Sequence, residues 1–171
     1  MSLAKSLLPE FEQEFTNTRK MLELVPDEKL GWKPHEKSME LGRLAWHVSD
    51  FPEWCRDTLT KPGMSITAED AKKYQDVWKG KTRAEMVARF DKDLVEAKAA
   101  LTGSGDEVWM ANWKMDWMGQ TVVDMPRRAV YRSMVMNHMI HHRAQLGVYL
   151  RLLNISIPGM YGPSADEMPG A

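Results

Sequence analysis

Apolar residues recur at helical spacing along four stretches of the chain. In residues 6–25, Leu8, Phe11, Phe15, Thr18, Leu22 and Val25 fall at alternating three- and four-residue steps, one face of a helix. Pro9 sits early in it, where a helix tolerates proline. Residues 26–37 break the pattern with two prolines and a glycine. A second stripe, Leu41, Leu44, Val48, Phe51 and Cys55, follows Ser38, a side chain suited to cap a helix start. Pro52 falls inside that stripe and predicts a kink or local break. Residues 61–81 read as mostly irregular, with a short helical turn around 68–74. The third helix opens on Thr82-Arg-Ala-Glu85, a capping box, and carries Met86, Phe90, Leu94, Ala97 and Leu101 before Gly-Ser-Gly at 103–105 stops it.

Residues 109–117 satisfy two periods. Trp109, Trp113 and Trp117 lie four apart, as in a helix, yet Trp109, Ala111, Trp113, Met115 and Trp117 also alternate with polar positions. A short extended hairpin, returning through residues 119–123, fits better; packing over the helix ends explains the tryptophans more simply than contact with a substrate. The fourth helix runs from near Pro126 to about Asn154, about 42 Å at roughly 1.5 Å per residue. Its inward stripe is Tyr131, Val135, His138, His142, Gln145, Tyr149 and Leu152. A Pro/Gly-rich tail closes the chain. Four helices with a short irregular or hairpin insertion before the last predict an all-α four-helix bundle.

The 171 residues fit one domain spanning 1–171. A net charge of −1, with no basic block, gives no footprint for nucleic acid. No apolar run is long enough to span a bilayer, and the N-terminus lacks the apolar run and cleavage site of a secretion signal. Cys55 is the only cysteine, so no intrachain disulfide forms and a cytoplasmic location is expected. The 14 methionines and 7 tryptophans suit core filling.

Three of the five histidines lie within residues 138–142. His138 and His142, four apart on a helix, differ by about 40° in direction and can reach one metal ion. His141 points to the other flank. On the second helix His47 lies three residues after Leu44 and four before Phe51, on the apolar stripe. An imidazole there needs a polar partner, and a metal shared with His138 and His142 supplies one. Taken singly, a core histidine or a chance His-x-x-x-His pair is the commoner explanation; three inward histidines on two helices favour a site. His35, beside Pro34 in a loop, is expected in solvent.

Three blocks resemble the DinB/YfiT-like superfamily of metal-binding four-helix bundles: residues 32–50, ending in His47-Val-Ser-Asp50; residues 137–153, with His138-x-x-x-His142-Arg-Ala-Gln145; and residues 157–167. Ala144 stands where glycine is frequent in that family. The resemblance implies an up-down-down-up bundle with a long crossover, and a triad of His47, His138 and His142 for one divalent ion, zinc or nickel, with His141 a non-ligand. It also implies a homodimer and, by likeness to bacillithiol- or mycothiol-dependent transferases, a low-molecular-weight thiol among small-molecule substrates. Three neutral histidines leave the ion its full charge, a Lewis acid suited to thiol transfer or to metal-assisted hydrolysis. A non-catalytic metal-binding module is the third alternative. Asp50, three residues after His47, is a candidate partner for a ligand or general base, and Gln145 and Tyr149 are candidate pocket residues.

Overall fold

The computed structural model describes residues 2–168. Helix α1 (Leu3–Leu22) starts earlier than its apolar stripe suggests, because the Ser2 hydroxyl accepts the Lys5 amide and caps it. Phe11 and Phe15 are fully buried against each other, and Phe15 meets Phe90 from α5 (Arg83–Gly103). The Thr82–Glu85 capping box forms in both directions, at 2.8 and 3.2 Å. Met86, Phe90, Ala97 and Leu101 are buried as expected, while Leu94 is only partly so.

The second helix departs from expectation at its start. It begins at Leu41, not after Ser38, with no side-chain cap. The loop carbonyls of Trp32 and Leu30 accept the Leu41 and Gly42 amides, each at 2.8 Å, so the exposed helix donors are satisfied without one. The break expected at Pro52 is present: α2 (Leu41–Ser49) ends at Asp50 and α3 (Phe51–Thr60) carries Pro52 in its first turn.

The expectation of an all-α fold is corrected by a small sheet. β1 (Gly63–Ile66) runs parallel to β2 (Asn112–Trp117), which pairs antiparallel with β3 (Gln120–Pro126). Met118 and Gly119 turn the hairpin with φ of 50° and 82°, the two positive values a tight two-residue hairpin needs. The alternation at 112–115 is therefore a strand pattern, burying Trp113 and Met115 against Val123 and Val130. Trp109 does not belong to it. It lies on the short helix α6 (Asp106–Met110), buried in the main core with its ring edge-on to Tyr131. Residues 61–81 are likewise more ordered than expected, since α4 (Ala68–Asp76) follows β1 behind a Thr67–Asp70 capping box. Just past α4, buried Trp78 packs on α2 at Gly42, where any Cβ would come within 2.3 Å of its ring.

The last helical run is continuous from α7 (Arg127–Val130) through a π-helical stretch (Tyr131–Asn137) into α8 (His138–Leu152). The wider π turn inserts one residue per turn into the register. Val135 and Met136 are consequently both buried, and the buried stripe continues through Met139, Arg143, Leu146 and Leu150. His138, His142 and Gln145 occupy the adjoining half-buried face instead of the centre of the stripe, and Leu152 is exposed. That face looks onto α2. No described helix is long and apolar enough to cross a membrane.

Candidate metal centre

Helices α2 and α8 pack together and bring His47, His138 and His142 to one point. The Nε2 atoms of His47 and His138 are 3.4 Å apart, and those of His142 and His138 are 2.9 Å apart. One ligand atom from each ring lies within 4.8 Å of the others. Phe51 and Trp54 of α3 wall the cluster, with Phe51 5.1 Å from both the His47 and His138 rings. The break between α2 and α3 positions them. His141 is exposed and outside the cluster, and exposed His35 accepts the Lys37 amide.

Each outer ring nitrogen is turned away from the centre. His47 Nδ1 meets the Tyr74 hydroxyl at 2.9 Å, and Tyr74 donates its own proton to Asp50 Oδ2. Tyr74 must then accept from His47, which puts the imidazole proton on Nδ1. His142 Nδ1 donates to Gln145 Oε1 at 2.6 Å, an oxygen that can only accept. His138 Nδ1 is buried and faces the Met134 carbonyl one turn back, without reaching full hydrogen-bond geometry. The two assigned tautomers leave Nε2 of His47 and His142 as bare lone pairs beside that of His138.

Burial favours the neutral rings. It holds His47 down at about 3, helped by the His142, His138 and Arg43 charges, and His142 at about 4 against the raising effect of Gln145. His138 is lowered for the same reason. Unprotonated nitrogens this close repel unless a cation sits among them. Two nitrogens on an ion with bonds of about 2.05 Å stand about 3.3 Å apart at a tetrahedral angle and about 2.9 Å at a right angle. The observed spacings match both, so the residues fit a divalent ion.

Asp50 is buried between Tyr74 and Arg89, one carboxylate oxygen engaged by each. Burial pushes it up to about 7 against the pull of Arg89. Both its oxygens are thereby engaged, it meets His47 only through Tyr74, and it is not among the residues that line the cavity beside His47. That cavity, about 260 Å³, adjoins His47 between α2, α3, α4 and the sheet, and Tyr74, Trp54, Ile66, Met115 and Trp117 line it. Gln145 is a partner of His142, and neither it nor Tyr149 lines the cavity. Tyr149 packs on Trp32 and donates to the Met39 carbonyl at 3.2 Å. Cys55 is fully buried with its thiol pushed far up by desolvation, and it takes no part in the cluster.

Tyr74 is the residue that sequence reasoning missed. The signal was present in Thr67-Ala-Glu-Asp70 followed by Ala71, Tyr74 and Trp78, a capped helix with one apolar face.

The mostly helical fold and the three-histidine group define a DinB-like protein. The chain matches the DinB family over residues 1–169 and belongs to it. It is 26% identical to YrdA of Bacillus subtilis (strain 168) over 166 residues, 94% of this chain and 89% of that protein. Two solved structures share its fold. One is a DinB-like protein of Bacillus cereus ATCC 10987, with a TM-score of 0.66 and 21% identity over 92% of this chain and 97% of that one. The other is the DinB-like protein YjoA of Bacillus subtilis, with a TM-score of 0.66 and 18% identity over 91% and 97%.

Proposed function

We propose that the chain is a metal-dependent enzyme, a thiol S-transferase using one divalent ion, zinc or nickel, held by His47, His138 and His142. The observation that carries this is the convergence of three Nε2 atoms, with no fourth protein ligand among the described residues, beside a cavity walled by aromatic and thioether side chains. An ion there supplies Lewis acidity and lowers the pKa of a thiol that binds it. The protein's own part is to hold the geometry. Tyr74 and Gln145 fix two imidazole tautomers, Asp50 and Arg89 anchor Tyr74, and Phe51 and Trp54 exclude water from one side. In the transfer a C–S bond forms while the electrophile's leaving group departs with its electron pair; the thiol proton passes to solvent at the cavity mouth.

The finer expectations join this proposal: an up-down-down-up four-helix bundle, a cytoplasmic location and a homodimer. The outward side of α8 supports pairing, because Val148 and Leu152 are 59% and 56% exposed beside Tyr161. Light scattering at micromolar concentration reads the mass. The activity is tested by incubating metal-loaded protein with small thiols and electrophiles beside an ester and amide panel. Conjugation that disappears in His142→Ala is the expected result. Hydrolysis alone, or no turnover with tight metal binding, overturns it.

A further inference from the structure

The cavity beside His47 is lined by an arginine that, among the described residues, has no hydrogen-bond or ion-pair partner. Arg43 lines it, one helical turn before His47 on α2. Elsewhere, arginines are engaged: Arg19, Arg56, Arg89, Arg132, Arg143 and Arg151 by carboxylates, and Arg83 and Arg127 by backbone carbonyls. Among the described residues only Arg43 and the exposed Arg128 have no such partner, and Arg43 is half-buried. The carboxylate that shares its cavity, Asp70, spends one oxygen on the Thr67 amide and hydroxyl, at 3.0 and 2.7 Å. Beyond His47, the remaining walls are the polar Tyr74 and Gln75, with Ala71, and the apolar Trp54, Ile66, Met115 and Trp117.

We propose that this cavity binds a small organic carboxylate, with Arg43 holding the carboxylate, the tryptophans and Met115 holding an apolar body, and the far end directed at His47, the one of the three histidines that lines the cavity. The proposal rests on the metal-site reading and names its substrate class. The i, i+4 spacing of Arg43 and His47 sets their Cβ atoms on the order of 6 Å apart, so the ligand bridges its carboxylate and its reacting atom over a few bonds. A guanidinium fork pairs with a planar carboxylate through two parallel hydrogen bonds. One unpaired arginine matches one negative charge, which favours a carboxylate over a phosphate dianion. A cavity of about 260 Å³ lies below the range of drug-sized sites, roughly 300–1,000 Å³. The ligand is therefore small.

Calorimetric titration of the full chain with 3-phenylpropionate, 3-phenyl-1-propanol and phenyl phosphate tests this, with zinc-loaded and metal-free samples run in parallel. The acid is expected to bind on the order of tenfold or more tightly than the alcohol, and to keep that preference without metal, because Arg43 and not the ion holds the carboxylate. Arg43→Gln removes the preference and leaves zinc stoichiometry unchanged; Arg43→Lys keeps part of it. Trp117→Ala weakens acid and alcohol alike. Equal binding of acid and alcohol, unaltered acid binding in Arg43→Gln, or tighter binding of phenyl phosphate overturns the proposal. A parent protein that takes up no zinc yet keeps the Arg43-dependent preference instead overturns the metal reading and leaves the carboxylate site standing.

Discussion

The Tyr74 hydroxyl lies 2.9 Å from His47 Nδ1, across 27 positions of sequence and from a helix that contributes no ligand. It decides which nitrogen of His47 faces His138 and His142. Its own proton is committed to Asp50, whose other oxygen is held by Arg89. Three elements, α2, α4 and α5, thus converge on the tautomer of one imidazole.

Tyr74→Phe removes the acceptor of the His47 Nδ1 proton and keeps the ring. Zinc affinity is expected to fall about 10–100-fold, measured by competition with a chromophoric chelator. The melting temperature of the metal-free protein is expected to change little. Equal affinity in the variant excludes a positioning role for Tyr74.

Proton competition follows from the buried imidazoles. His47 and His142 titrate at about 3 and 4 when folded, below the ordinary 6.5. The unfolded chain therefore binds their protons first. Their contribution to stability is complete above pH 6.5 and is lost as pH falls from there toward 4. Asp50, raised from 3.8 to about 7, and Asp93, also raised by burial, work in the opposite direction across that window, against three imidazoles that burial lowers, His138 included. Urea midpoints of the metal-free protein are expected to drop between pH 6.5 and 4.5. Zinc binding by the folded protein is expected to persist at pH 5.5, lower than the pH near 6 that free imidazole suggests. Midpoints that rise on acidification exclude neutral buried histidines.

Arg143 and Glu14 form a buried ion pair at 2.7 Å that ties α8 to α1. Arg143 also donates to the Glu14 carbonyl and the Tyr161 hydroxyl, at 3.0 and 2.8 Å, and Tyr161 donates to Glu14, so the tail is bound to the same group. Arg143→Met strands the Glu14 charge and is expected to cost about 3–5 kcal/mol. Adding Glu14→Leu removes that charge and is expected to recover most of the loss. Chemical denaturation of the two variants measures both. A double variant no more stable than the single one contradicts the account of Glu14 as a stranded charge.

His47, His138 and His142 were legible in the sequence because helical spacing is local: four residues nearly repeat a direction, and an apolar stripe marks which way it points. Pro52 and the Thr82 capping box were legible for the same reason. What was lost depends on distant pairing or on a change of helical period. β1 has only four residues and becomes a strand by lying parallel to β2, about fifty positions later. Trp109 follows the alternation of β2 by composition, yet Gly105 and the acidic pair Asp106 and Glu107 start a helix there. The π turn at Tyr131–Asn137 moved the buried stripe onto Arg143, a residue whose charge hides its burial until Glu14 is known to face it. Gln145 was displaced with His138 and His142 onto the adjoining half-buried face, where it serves His142, and Tyr149 serves the core.

Zinc binding to the parent and to five single-alanine variants at pH 7, followed by calorimetry, tests the central claim most directly. The parent, His141→Ala and His35→Ala are expected to bind one ion per chain, while His47→Ala, His138→Ala and His142→Ala lose stoichiometric binding. A parent that binds no ion, or a variant set in which His141→Ala is the damaging change, contradicts the site.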